Sequence, residues 1–302
     1  MISRKINRRR VISILAGAGA LPFLGAQAQA AAEWKGIALG AEARIILDHP
    51  DAKRLIPLAV AEIRRLENIF SLYLPDSQLA RLNQAGALDQ PAFEMIELLS
   101  ICARMVEQTH GAFDPTVQTL WALYAAKAGK GEMPPDDQIA GALDLTGWDK
   151  VSFSSDRLTF VRPGMALTLN GIAQGYIADK VSTLLRQNGV TNVLINTGEI
   201  SGLGLAPDGR NWPVRLGDQN GQLIGLSNMC VATSSPRATT FDAQGQIGHI
   251  LDPRTGRPGG KWQQVSVVTR YAAEADALST GFCLMDNEQI ASAKAGVDVY
   301  LR

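Results

Sequence analysis

Three cysteines in 302 residues are too few, and odd in number, for a disulfide framework. Cys102 and Cys283 fall in apolar helix-like patterns and Cys230 in the strand-like run NMCVATS, so each reads as a buried free thiol. CxxC, HExxH and GxSxG are all missing, which removes the signatures of a thiol oxidoreductase, a zinc protease and a serine esterase. An excess of basic charge is missing too: 29 Lys and Arg face 29 Asp and Glu. The first thirty residues hold five of the basic residues and no acidic ones, leaving 24 against 29 beyond them. No basic field remains there to bind nucleic acid. Internal repeats and low-complexity linkers are also lacking. With 46% apolar residues, the chain can bury a large core as one big domain or two interleaved lobes.

Arg4, Lys5, Arg8, Arg9 and Arg10 precede a mild apolar run at 11–24, followed by small-residue cleavage sites at 26–30. This is the pattern of a signal peptide over residues 1–30, with 31–302 as the mature domain; the run is too short and too weakly apolar for a strong membrane span. The cluster NRRRVIS suits the twin-arginine route, which exports folded proteins, so a periplasmic location is expected. An uncleaved anchor is the other reading.

Residues 41–47 suit a strand. Leu55, Ala59, Ile63, Leu66 and Phe70 form a helical stripe, and 95–106 a second apolar helix stopped near His110 and Gly111. Between them Asp76 or Ser77 can cap a short helix, leaving Tyr73 on the preceding loop. VSF and LTFV around SSDR predict a hairpin, 166–169 a strand, 172–186 a helix ended by Gly189, and 192–196 another strand. Further strands are expected near Val214, Val231 and Ile247 and at 265–269, and residues 131–135 are the clearest internal division. Helices alternate irregularly with antiparallel-looking strands, so the fold class is α+β.

Two segments carry the chemistry. LNGIAQGY (169–176) sets glycines ahead of a helix, where bare backbone and helix N–H groups can approach a phosphate. ADALST (275–280) places Asp276 and Thr280 four apart, on one helix face, as oxygen ligands for a hard cation. A cation beside a phosphate cradle implies chemistry on a diphosphate. His249 is one of only three histidines, and an imidazole of ordinary pKa, about 6.5, can take a hydroxyl proton at neutral pH. His49 and His110 sit at a loop and a helix end, where structural roles are expected.

The ordered blocks LGA (39–41), FSLYLPDSQLARLN (70–83), HGAFDPTV (110–117), LNGIAQGYIAD (169–179), NTGE (196–199), VATSS (231–235), HILDPRTG (249–256) and ADALST together resemble the ApbE family of FAD:protein FMN transferases. The resemblance implies a two-lobed α+β fold with the flavin site between lobes. It also implies Mg²⁺-dependent splitting of FAD, with FMN passed through a phosphoester to a Ser or Thr of a target protein and AMP released. Residue by residue, it makes Tyr73 a flavin-stacking ring and Leu39 a flavin neighbour. Ala112, Phe113 and Asp114 match an FAD-binding turn, with Asp114 extended before Pro115. The backbone carbonyl of Gly171 joins Asp276 and Thr280 at Mg²⁺, Ile250 matches a backbone contact to FAD, and His249 becomes the catalytic base. Asp252 to Gly256 reads as a turn shaping the pocket.

The chain also departs from that pattern. Thr168 stands where the family usually has an acidic residue, Asn170 where it has a small one, Gln174 where it has lysine or an acid, Leu39 where it has methionine and Ala41 where it has threonine. Thr168 and Gln174 are kept as FAD-contacting positions that lack the usual charge. The GIAQG variant and the leader resemble the NosX subgroup, which implies a membrane-anchored, NosR-like acceptor in nitrous oxide reductase maturation. An FAD pyrophosphatase using water as acceptor and a flavin-binding assembly factor without turnover remain the alternatives.

Overall fold

In a computed structural model, residues 31–217 and 221–302 are described. The expected signal peptide lies outside the described residues. Alternating side chains build an antiparallel hairpin from β1 (Ala32–Ala38) and β2 (Ala41–Leu47). It turns at Leu39 and Gly40, both at positive φ (46° and 82°). Helix α1 (Ala52–Phe70) buries Leu55, Ala59, Ile63, Leu66 and Phe70, the stripe that the 3.6-residue period demands. Ser77 caps α2 (Gln78–Ala85), its hydroxyl accepting the Ala80 N–H at 3.0 Å. After β3 (Ala87–Asp89), α3 (Phe93–Gln108) ends where His110 and Gly111 take positive φ. Helices α4 (Gln118–Ala128) and α5 (Asp136–Asp144) follow, and the division expected at 131–135 is the loop between them.

The predicted hairpin is β4 (Val151–Phe153) with β5 (Arg157–Phe160), and β3 completes a three-stranded sheet in the order β3-β5-β4. Next come α6 (Ala173–Gln187), β6 (Val193–Asn196), β7 (Ile200–Leu203), β8 (Trp212–Arg215), β9 (Leu223–Leu226), β10 (Met229–Ser234), β11 (Val265–Thr269), α7 (Ala272–Phe282), α8 (Asn287–Ala293) and β12 (Asp298–Leu301). A seven-stranded sheet, β1-β2-β6-β7-β10-β11-β12, is antiparallel throughout. Its central strands are apolar on both faces because both are covered. Val193, Ile195, Val265 and Val267 join the main core with α1, α6 and α7; Leu194, Val231 and Val268 face the other way, against Trp212, Val214 and Leu226 of β8 and β9. Burying one such Ile or Leu stabilises the fold by about 1.5–3 kcal/mol, so α6 and α7 are held firmly on this sheet. The class is α+β, as the sequence indicates.

Two expected strands are not formed. Residues 166–169 pair with no strand: the Asn83 side chain accepts the Leu167 N–H and donates to the Leu167 C=O, both at 2.8 Å, while the Thr168 N–H goes to the Pro115 C=O. A side chain thus supplies the bonds that a neighbouring strand would have supplied. At Ile247 the local fold is a loop, because the Asp242 carboxylate accepts the Gln246 and Ile247 N–H groups at 3.0 and 2.6 Å. All three cysteines are free and buried, as expected.

Candidate active site

Helix α7 is buried through most of its length, against α6, β10 and β11. Asp276 therefore faces a neighbouring segment and not solvent, and Thr280 is partly buried. The segment opposite Thr280 is the turn before α6: a Cβ on Gly171 would lie 3.1 Å from the Thr280 hydroxyl and 3.6 Å from the Phe113 ring. Gly281 does the same for the turn after α3, where an added Cβ would meet the Phe113 N–H nitrogen at 3.2 Å. Bare backbone at both glycines lets three segments converge, bringing Phe113, Gly171 and Thr280 together. Ser234, at the end of β10, bonds the Thr280 hydroxyl at 3.2 Å and the Ser279 hydroxyl at 2.8 Å.

Asp276 is 3% exposed, and its carboxylate accepts the Gly175 N–H at 3.3 Å. Burial pushes its pKa up to about 8, helped by the negative charge of Asp179. Glu199, 5% exposed, is raised well above the usual carboxylate range by burial and by the charge of Asp276. Its carboxylate takes the Thr233 N–H at 3.2 Å. Two buried acids with little hydrogen bonding are stable together only if protonated or if a cation neutralises them. Among the described residues no group of three His, Cys, Asp or Glu side chains is placed to hold a metal ion. The Asp276 carboxylate and the Thr280 hydroxyl, with the Gly171 turn beside the latter, are oxygen donors of the kind that a hard cation such as Mg²⁺ takes.

His249 is half-buried, and its Nδ1 lies 3.2 Å from the Pro236 C=O and 3.1 Å from the Thr239 C=O. A carbonyl can only accept, so Nδ1 carries the hydrogen and Nε2 keeps its lone pair. Burial lowers the pKa of the ring, which favours the neutral form. The backbone connects this imidazole to the helix: Pro236 is two residues beyond Ser234, and the Cys283 thiol reaches the Ser234 C=O at 3.7 Å.

The remaining expected residues occupy other places. Leu39 and Tyr73 both depend on the last turn of α1: the Leu39 N–H donates to the Glu67 carboxylate at 2.7 Å, and the Tyr73 N–H to the hydroxyl of Ser71, whose own N–H bonds the Glu67 C=O. Tyr73 is 51% exposed, so part of its ring faces solvent. Ala112 is buried beside Phe113. Asp114 is extended before Pro115 (φ −148°, ψ 114°), but its carboxylate accepts the N–H and hydroxyl of Thr116 and the Trp148 N–H. Its first work is capping the turn at 115–117. Thr168 accepts the Asn170 N–H. The Gln174 side chain lies over Gly198, leaving only 2.6 Å to a Cβ there. Ile250 is buried, and its C=O accepts the Gly259 N–H at 3.0 Å. Asp252 to Gly256 is the predicted turn, with the Asp252 carboxylate and Arg254 paired at 2.8 Å.

The ApbE family profile matches residues 39–301, nearly all of the described chain. The chain belongs to the ApbE family. An FAD:protein FMN transferase of Chlamydia pneumoniae is 30% identical over 234 residues, covering 74% of each chain. One from Vibrio cholerae is 29% identical over 243 residues, 75% of this chain and 72% of the other. The crystal structure of the Pseudomonas stutzeri flavinyl transferase ApbE, apo form, superposes with a TM-score of 0.79 at 27% identity over 90% of both chains. The ApbE protein of Thermotoga maritima gives 0.80 at 25% identity over 90% of this chain and 94% of that one.

For this ApbE chain, four residues beyond the expected set emerge: Gly175, Asp179, Glu199 and Ser234. All fall inside quoted sequence blocks, yet no spacing along the chain pointed to them. Their partners lie 34 to 101 positions away.

Proposed function

We propose that this chain, a transferase, moves FMN from FAD to a Ser or Thr hydroxyl of a target protein. The observation that carries the reading is the approach of Gly171 to Thr280, one turn from Asp276, together with an imidazole held on the loop after Ser234 by a tautomer that leaves the Nε2 lone pair available. The acceptor oxygen attacks the phosphorus on the FMN side of the diphosphate, and the bridging P–O bond breaks. AMP leaves with the electron pair, and the hydroxyl proton passes to His249 Nε2. The residues that would hold Mg²⁺ are Asp276, Thr280 and the Gly171 carbonyl; the ion would neutralise charge on the phosphoryl oxygens. Phe113, Ala112 and Ile250 offer apolar floor, and Tyr73 with Leu39 offers a ring and a side chain for the isoalloxazine face. The leader pattern supports export by the twin-arginine route and work in the periplasm, and its likeness to the NosX subgroup favours a membrane-anchored, NosR-like acceptor.

Incubation with FAD and Mg²⁺, with and without a Ser/Thr acceptor domain, tests the reading by mass spectrometry. FMN-modified acceptor plus AMP is expected. Free FMN plus AMP irrespective of acceptor would mean a pyrophosphatase, and unchanged FAD a binding protein without turnover.

A further inference from the structure

Helix α7 begins without a cap of its own: Tyr271 stands at the N-cap position and makes no side-chain hydrogen bond to the helix. The first N–H groups of a helix have no partner within it, so something else must take them. Asp179, on α6 and 93 positions earlier, does so. One carboxylate oxygen accepts the Ala272 N–H at 2.8 Å and the other the Ala273 N–H at 3.0 Å. One turn back along α6, Gly175 makes the second link: its N–H donates to Asp276 at 3.3 Å. At that point the helices touch backbone to backbone, since a Cβ on Gly175 would lie 2.2 Å from the Ala272 C=O oxygen. In the turn before α6, Gly171 faces the Thr280 hydroxyl. Both oxygens of Asp179 thus fix where α7 begins along α6, and the ligating side chains follow one and two turns later.

We propose that Asp179 is a positioning residue for the cation site, a cap supplied from α6 that sets the register of Asp276 and Thr280 against the Gly171 carbonyl. The inference rests on the metal assignment proposed above. Groups behind direct ligands commonly change metal affinity about 10–100-fold when removed. Helix capping alone would act on folding and leave the affinity of folded molecules untouched.

The test compares Asp179→Asn and Asp179→Ala in the full chain. Both remove the charge, but Asn keeps one oxygen acceptor for the α7 N–H groups. Mn²⁺ serves as the probe, titrated by electron paramagnetic resonance without FAD, together with the Mg²⁺ dependence of FMN transfer. Asp179→Ala is expected to weaken Mn²⁺ binding about 10-fold or more and to raise the Mg²⁺ concentration for half-maximal transfer equally. Turnover at saturating Mg²⁺ should fall much less, and Asp179→Asn should recover most of the loss. Equal Mn²⁺ affinity in wild type and folded Asp179→Ala would overturn the inference, as would Asn and Ala variants that fall together. If Asp179→Ala does not fold, the Asp179→Asn titration decides alone: Mn²⁺ affinity between that of wild type and that of Asp276→Ala supports the role, and unchanged affinity refutes it. Failure of the metal assignment is separately visible, as Mn²⁺ binding by wild type that Asp276→Ala leaves intact.

Discussion

Gly175 and Asp276 are 101 positions apart and meet in one hydrogen bond of 3.3 Å, where α6 and α7 pack backbone against backbone. That bond requires glycine, because the atoms around a Cβ at 175 are backbone atoms of Ala272 and Ala273, at 2.2 to 2.7 Å. Backbone held by the Asp179 cap cannot step aside as the end of a side chain can. Gly175→Ala is therefore expected to destabilise the protein by about 1–3 kcal/mol, the usual cost of overpacking, and to weaken Mg²⁺-dependent FAD splitting. Thermal unfolding and AMP release measure the two effects; an Ala variant matching wild type in both would show that the helices can separate freely.

Much of this frame was legible in the sequence. The α1 stripe from Leu55 to Phe70, the Ser77 cap and the shared face of Asp276 and Thr280 all follow from the period of the helix. Residues 166–169 misled because alternating buried and half-buried side chains look the same in sequence whether a strand or the Asn83 amide completes the backbone bonds. Glu199 was equally silent. Its carboxylate takes the Thr233 N–H just beyond the Val231 and Ile200 pair, where β7 stops running alongside β10. Only the register of the sheet reveals that.

The buried acids predict a pH dependence of known sign. The Asp276 pKa is raised to about 8 from an unfolded value of about 3.9, so the folded state favours its protonated form. That contribution is complete at pH below the unfolded value and is lost as pH rises towards about 8. Glu199 and Asp179 are shifted in the same direction. Metal-free protein should thus lose thermal stability from pH 5 to pH 8, and Mg²⁺ should raise Tm more at pH 8 than at pH 6. Differential scanning fluorimetry of wild type and Asp276→Asn checks it. A Mg²⁺ shift that ignores pH, or that persists in Asp276→Asn, would place the cation elsewhere.

His249 should separate chemistry from binding. With Nδ1 committed to the Pro236 and Thr239 carbonyls, His249→Ala is expected to keep FAD affinity and to lose transfer by about 10²–10⁴-fold, the range of general acid–base catalysis. The pKa of the ring is lowered by burial, so the base is already free at neutral pH. At Mg²⁺ concentrations that saturate the site at every pH, transfer should fall on the acid side, below the ordinary histidine range, and that limb should vanish in His249→Ala. An unchanged rate in the variant would remove this residue from the mechanism.

Gln174 gives the last expectation, at the position where the usual charge is missing. Its C=O accepts the Thr197 hydroxyl at 2.9 Å and its side chain covers Gly198, so the residue also ties the start of α6 to the turn before Glu199. A neutral amide that adds one hydrogen bond to FAD contributes about 0.5–1.5 kcal/mol, or roughly two- to tenfold in affinity. Gln174→Ala should cost that much in a flavin fluorescence titration, well short of the loss from Asp276→Ala in the presence of Mg²⁺. The backbone bond to Thr197 survives the substitution, so the turn should hold. A loss beyond about a hundredfold exceeds what one neutral bond supplies and would make Gln174 the organiser of the turn. No change at all would place its amide outside the flavin site.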